Sequence, residues 1–385
     1  MSKVVMVTTL QPFSNYSQFL SNGLLENGCD LLVFSDNDPK NKKLEFADKV
    51  NLVWDKNPMF VFQILKQLIK IRPAVVHYQH EINMFGGGIT ALQFPWLVFL
   101  TRLLGIKVIT TIHAGVPLKM IDADFVKSFK GEDSKIPVGL LKLVFLYINF
   151  FTGLFSNKVI VHTNFIKNLL ITNYHVSAKK IEVIPHGVNV FENVTPADLE
   201  QKKKYFFYFG YLAKRKGLEN VLTGYARYLK ESENPIKLVL GGGVIPGQEF
   251  AYSEVKDMVK NLGLDSQVMY TGFLNEDALK KYFSEAYVFL IPAKISIAAS
   301  GPMSVALGFG RCVVASDVPN LNEEVTHNLD GYVVDNANWD QAFSFLEKNP
   351  DAVLNFENAS RAKAERRSWN NVAKMHLKIY KEMTL

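Results

Sequence analysis

The sequence predicts an α/β protein built from two Rossmann-like domains, each a doubly wound parallel sheet. Three observations predict it. Short Val- and Ile-rich runs alternate with helical stretches along the chain; the runs are apolar throughout, as in strands covered on both faces; and the alternation occurs twice, on either side of a polar stretch at 189–204 that has no strand or helix face of its own. The length of 385 residues agrees, since about 150 residues per domain gives two or three.

In the first half the strand runs are KVVMVTTL from Lys3, CDLLVFSD from Cys29, PAVVHYQH from Pro73, KVITTIHA from Lys107, NKVIVHT from Asn157 and KIEVIPHG from Lys180. Between them SQFLSNGLLENG and MFVFQILKQLIKI repeat apolar residues at three- and four-residue spacing, which predicts helices. The second half carries KYFFYFGYL from Lys204, PIKLVLGGG from Pro235, QVMYTGFL from Gln267, YVFLIPA from Tyr287, RCVVASD from Arg311 and GYVVD from Gly331. The expected domains are residues 1–190 and 191–369, with a last helix, 370–385, packing back on the first. Open parallel sheets bind ligands beyond the carboxyl ends of their strands, so a cleft between the two sheets is expected, lined by the loops after the strands.

Composition narrows the class. Hydrophobic content of 48% and charged content of 21% exclude a disordered, collagenous or coiled-coil chain. Cys29 and Cys312 are the only cysteines and both sit in strand-like runs, which excludes a disulfide scaffold or Cys-based zinc site and fits a reducing compartment. MSKVVMVTTL enters a strand directly, without the layout of a secretory signal, so a cytoplasmic protein is expected. A net charge of +6 favours anionic partners such as nucleotides or acidic lipid surfaces; no nucleic-acid partner is expected.

With 28 Phe and 15 Tyr the chain has apolar surface to account for. The uncharged stretch 82–101 is long enough to span a bilayer, but Gly86, Gly87, Gly88, Gln93 and Pro95 interrupt it. The stretch IPVGLLKLVFLYINFFTGLF begins at Ile136, ends at Phe155 and follows Lys119, Lys127, Lys130 and Lys135. That basic and aromatic mix suits peripheral contact with a membrane surface; the other reading is a long core helix leading into NKVIVHT.

The loops after the strands carry the chemistry. Lys214, Arg215 and Lys216 precede a helix opening at Gly217, where cations and free backbone N–H groups together suit a diphosphate. Gly241, Gly242 and Gly243 end the next strand and let a ligand approach the backbone. After YVFLIPA, Ser300 is placed to cap a helix that follows Gly301 and opens at Pro302, and bare amides at that N-terminus can hold phosphate. In the first half His113, His77, Gln79 and His80 stand at strand carboxyl ends, where an imidazole can contact a sugar hydroxyl or phosphate oxygen. His77 and His80 fall on opposite faces of an extended strand and cannot ligate one metal from it; no metal site is expected.

The run HTNFIKNLLITNYHVSAKKIEVIPHGV from His162, followed by YFGYLAKRKG, LVLGGG, YTGFL, LIPA and VVASD, resembles family 4 of the retaining nucleotide-sugar glycosyltransferases, which have the GT-B fold. The resemblance covers nearly the whole chain and is strongest over 157–334. It implies a nucleoside-diphosphate sugar (UDP- or GDP-linked) bound by the second domain, a glycan or lipid-linked acceptor docked on the first, no cofactor beyond that donor and no metal. Lys216 matches the diphosphate-binding lysine of the family's G-R-L-x-x-x-K-G turn; that turn's arginine is Tyr211 here, leaving Lys214 or Arg215 to supply the charge. His113 matches the histidine beside the transferred sugar, Gly272 and Phe273 match the loop along the base, and Glu323 matches the glutamate after the A-S-D-x-x-G turn. Gly242 and the Ser300–Gly301–Pro302 turn complete the expected donor site.

Two departures stand out. The aspartate after the family's histidine is Ala114, and the two glutamates spaced eight apart around the phosphate loop fall at Ile297 and Val305. The Ser300-Gly301 turn instead resembles a subgroup with Ser-Gly at this loop. The expected activity is retaining hexosyl transfer, with Lys216, Arg215 and the amides near Ser300 stabilising the leaving group and His113 orienting the sugar. The alternatives are a non-catalytic nucleotide- or glycan-binding homologue and a GT-B phosphorylase or hydrolase.

Overall fold

The computed structural model describes residues 2–10, 15–38, 47–130, 134–191, 204–212, 216–243 and 249–384. Within them the chain forms two compact units. The first holds Met1–Gly187, Ile297–Ala299 and Trp369–Leu385, and the second holds Val188–Ser296 and Ser300–Ser368.

In the first unit seven parallel strands lie in the order β3-β2-β1-β4-β5-β6-β7: β1 (Val4–Val7), β2 (Leu31–Asp36), β3 (Val50–Trp54), β4 (Val75–His80), β5 (Lys107–Ile112), β6 (Lys158–Val161) and β7 (Ile181–Val183). β1 is buried at every residue, as its unbroken apolar run requires. β3 is an edge strand with Asn51 exposed and only Trp54 fully buried, so it lacks such a run and the sequence does not announce it.

Helices cover both faces of this sheet. α1 (Asn15–Glu26) lies on one face against α14 (Trp369–Thr384), where a Cβ on Gly23 would meet the Trp369 carbonyl oxygen at 2.9 Å. α2 (Phe60–Ile71), α3 (Ile89–Leu103) and α5 (Val138–Phe155) cover strands with Phe60, Ile64, Leu97, Val98, Leu141 and Phe145. α4 (Ala123–Lys130) packs on α5, and α6 (Asn164–Tyr174) opens on the Thr163 cap, whose hydroxyl accepts from the Ile166 amide.

In the second unit six parallel strands lie in the order β10-β9-β8-β11-β12-β13: β8 (Tyr205–Phe209), β9 (Lys237–Gly241), β10 (Val268–Gly272), β11 (Val288–Ile291), β12 (Val313–Ser316) and β13 (Gly331–Val334). Its helices are α7 (Leu218–Glu231), α8 (Glu249–Asn261), α9 (Glu276–Glu285), α10 (Gly301–Gly308), α11 (Pro319–Asn322), α12 (Trp339–Lys348) and α13 (Pro350–Arg366). Each sheet reverses its winding once, between β1 and β4 and between β8 and β11, and at such points open α/β sheets bind ligands.

Candidate active site

On the second sheet the candidate donor residues gather at the carboxyl ends of β8 to β12. β8 runs out through Gly210; Lys214 and Arg215 lie outside the described residues, and Lys216 leads into Gly217, whose left-handed φ of 66° caps α7. A Cβ on Gly217 would lie 3.5 Å from Ala293 and Lys294 backbone atoms, so α7 starts against the loop that follows β11. Lys294 and Glu219 pair across this contact, a link no sequence motif signals.

That loop is pinned from below. The Ala293 amide donates to Ser316 Oγ at 3.0 Å, Ser316 Oγ donates to Asn336 Oδ1 at 2.7 Å, and Asn336 Nδ2 donates to the Ala293 carbonyl at 3.3 Å. Asn320 Nδ2 donates to Ser296 Oγ at 3.0 Å, tying the loop to α11, after which Glu323 stands half-buried. Ser300 caps α10 by accepting from the Met303 amide. Gly301 is the first helical residue and Pro302 the second, one position later than the sequence suggests. The two N-termini, of α7 and α10, thus follow adjacent strands β8 and β11.

Glycine backbone closes the neighbouring strand ends. The Gly210 amide donates to the Gly241 carbonyl and the Gly242 amide to the Gly272 carbonyl, at 3.1 and 3.0 Å. Phe273 follows with 85% of its surface exposed, beside Gly243. Gly242, Gly272 and Phe273 therefore stand together: bare backbone beside a free aromatic face, an arrangement able to hold a flat base. Val305, one of the two positions without a glutamate, packs against the second unit's core, and Ile297, the other, packs among the first unit's apolar residues.

On the first sheet, His113 follows β5 and is half-buried. Its Nε2 lies 2.8 Å from Gln79 Oε1 and its Nδ1 3.1 Å from His162 Nε2. His162 Nδ1 lies 2.9 Å from the Ile184 carbonyl oxygen. On the other side Gln79 Nε2 lies 3.3 Å from His77 Nε2, which is 2.7 Å from Thr111 Oγ1, while His77 Nδ1 is 2.6 Å from Tyr380 Oη on α14. Tyr16 on α1 packs edge-on to the His113 ring at 4.7 Å. His80 points to the opposite face of β4 and stacks on Phe94 at 4.1 Å. Burial, and then the neighbouring imidazoles, hold His113 and His162 well below the usual histidine range, His162 at about 3. Gln79 and His162 are partners the sequence does not single out beyond their place at strand carboxyl ends.

The sequence matches two family models end to end: Glycosyltransferase Family 4 over residues 14–191 and Glycosyl transferases group 1 over 191–362. The chain belongs to the group 1/family 4 glycosyltransferases. Its two parallel-sheet units are the α/β domains of the GT-B fold. This glycosyltransferase is 27% identical over 250 residues to an uncharacterized glycosyltransferase of Methanocaldococcus jannaschii, a match covering 59% of this chain and 60% of that protein. It is 23% identical to the O-antigen chain mannosyltransferase RfbU of Salmonella typhimurium, over 82% of this chain and 86% of that one. Among solved structures it resembles Anabaena HepE in complex with UDP, with a TM-score of 0.74, 14% identity, and 99% and 100% of the two chains covered.

Proposed function

We propose that this glycosyltransferase moves a hexose, with retention of anomeric configuration, from a UDP- or GDP-linked donor to a hydroxyl of a glycan or lipid-linked acceptor. The observation that carries the reading is the pair of helix N-termini, α7 after Lys216 and α10 at Ser300–Gly301, at the carboxyl ends of the adjacent strands β8 and β11. The first amides of α7 and the Gly301 amide, with the Lys216 ammonium and the charges of Lys214 and Arg215, suit a diphosphate; Pro302 has no N–H and the Met303 amide is taken by the Ser300 cap. Gly242, Gly272 and Phe273 take the base, Glu323 the donor's ribose or sugar, and His113 orients the transferred hexose. The bond from the anomeric carbon to the diphosphate oxygen breaks, the acceptor oxygen bonds that carbon, and the acceptor proton passes to the departing phosphate. Stabilisation of that phosphate is electrostatic, of the oxyanion-hole type. We propose transfer without a cofactor or a metal, which the chelator arm of the assay below tests. The relatives are a mannosyltransferase, RfbU, and a protein solved with UDP-glucose, HepE, which supports a hexose donor.

We place the enzyme in the cytoplasm, seated on the inner face of the membrane through 136–155 and its neighbours. α2, α3 and α5 pack side by side without a single Asp or Glu, and carry Lys66, Lys70, Arg102 and Lys142. Their outer faces expose Phe62, Ile69, Trp96, Leu103, Leu143 and Leu154. An apolar face with a basic, acid-free border is complementary to anionic lipid.

The test is incubation with UDP-, GDP- and ADP-sugars and candidate acceptors, measuring released nucleoside diphosphate with and without chelator. Release and a retained anomeric configuration in the product support the reading; tight nucleotide binding without release favours a non-catalytic binding protein, a reading that the apolar Ile297 and Val305 keep in play. Absence of nucleotide binding, or unchanged affinity in Lys216→Ala, sinks the phosphate site. Flotation with anionic vesicles tests the membrane face, and a protein left wholly in the soluble fraction overturns it.

A further inference from the structure

The hydrogen-bond chain through His113 has a direction, and proton counting fixes it. The Ile184 carbonyl only accepts, so His162 Nδ1 carries a proton, and a neutral His162 must accept at Nε2. His113 then donates from Nδ1, and its Nε2 has to accept from Gln79. With Gln79 Oε1 facing His113, two lone pairs oppose each other unless the pair binds an extra proton. Among the described residues the titratable groups facing His113 are the rings of His162, His186, His77 and His80 and the edge-on Tyr16, with no carboxylate among them to balance such a charge. Turning the amide over satisfies every contact without charge: Tyr380 donates to His77 Nδ1, His77 Nε2–H is shared by Thr111 Oγ1 and Gln79 Oε1, and the Gln79 amide donates to His113.

We infer that Gln79 is a positioning residue of the transfer reaction: its amide N–H anchors Nε2 of His113 and, with His162 on Nδ1, holds the ring as the neutral Nδ1–H tautomer, both ring nitrogens engaged within the first domain. This rests on the reading that His113 lies against the transferred sugar. His113 then meets the sugar with ring C–H edges and neither gives nor takes a proton, which leaves proton transfer to the departing phosphate. It also explains why Ala114 suffices after His113: the imidazole is oriented through Gln79 and His162, not by an adjacent carboxylate.

Long-range proton–nitrogen NMR on histidine-labelled protein reads the tautomer directly. Neutral Nδ1–H at His113 between about pH 6 and 8 is expected; an Nε2–H tautomer or an imidazolium overturns the inference. In Gln79→Leu the Nδ1–H tautomer, still dictated through His162, should persist while Nε2 loses its anchor, so kcat should fall about tenfold or more with donor KM little changed, and an unchanged kcat overturns the positioning role. Gln79→Glu should add an acid limb to the pH–rate profile near neutrality, as His113 now protonates against a carboxylate; an unmoved profile counts against it. Should either variant fail to fold, the wild-type spectrum still decides. The spectrum needs no substrate, so the expected tautomer in a protein that transfers from no donor defeats the transferase reading alone.

Discussion

Gly242 and Gly210 touch through their backbones, so that a Cβ built on Gly242 would lie 2.1 Å from the Gly210 carbonyl oxygen. Gly242 also has a φ of 118°, a conformation that side chains resist. Gly242→Ala therefore has to part the ends of β8 and β9, and we expect a loss of about 1–3 kcal/mol or more in urea unfolding. Gly301→Ala is the control: an added Cβ there meets nothing within 4 Å, and stability should stay within about 0.5 kcal/mol. Equal costs for the two would mean that the β8–β9 contact is not a constraint.

Phe273 is 85% exposed and contributes little to the core, so its removal separates binding from folding. Base–aromatic stacking is worth about 1–3 kcal/mol, so Phe273→Ala should weaken UDP or GDP binding by about five- to hundred-fold in calorimetry, with an unchanged melting temperature. Unchanged affinity would move the base elsewhere on the second sheet.

The buried imidazoles make the first domain acid-sensitive. Burial depresses His80 and His162 to about 3 and His376 to about 4, while an unfolded histidine titrates near 6.5. Above that value both states are neutral and nothing is lost. As pH falls below it the unfolded chain gains protons that the folded one refuses, so stability drops progressively towards the folded values. At pH 5.5 each of the three should cost about 1 kcal/mol relative to pH 7.5. Urea midpoints at the two pH values check this, and a midpoint that does not fall with pH would mean that these rings are not held neutral.

The parallel sheets were legible because their central strands are continuous apolar runs, and the helix starts at Gly217 and Ser300 because their turn chemistry is local. β3 was not, since an edge strand with Asn51 exposed carries half the signal. The residues around His113 were legible only in part. Strand ends placed His77, Gln79 and His113 at one edge, but the far end of their chain, Tyr380, is 303 residues from His77. No spacing rule reaches that far; only the packing of α14 on the first sheet joins them.

Arg311 ties the end of α10 to α13 from a fully buried position. Its guanidinium donates to the carbonyls of Phe309 and Ala286 and lies 3.1 Å from the Glu357 carboxylate, which is itself buried. Burial pushes the Arg311 pKa down and Glu357 opposes that shift, so the cation depends on its partner. Removing one member of such a pair leaves an uncompensated charge, and Glu357→Leu should cost about 3–5 kcal/mol in urea unfolding. Replacing both, as Arg311→Met with Glu357→Leu, removes the stranded charge and should recover a large part of the loss. Since α10 carries the Ser300 turn at its other end, Glu357→Leu should also weaken nucleotide binding more than the double variant does. If the double variant is the less stable of the two, the pair is held together by its other hydrogen bonds and not by its charges.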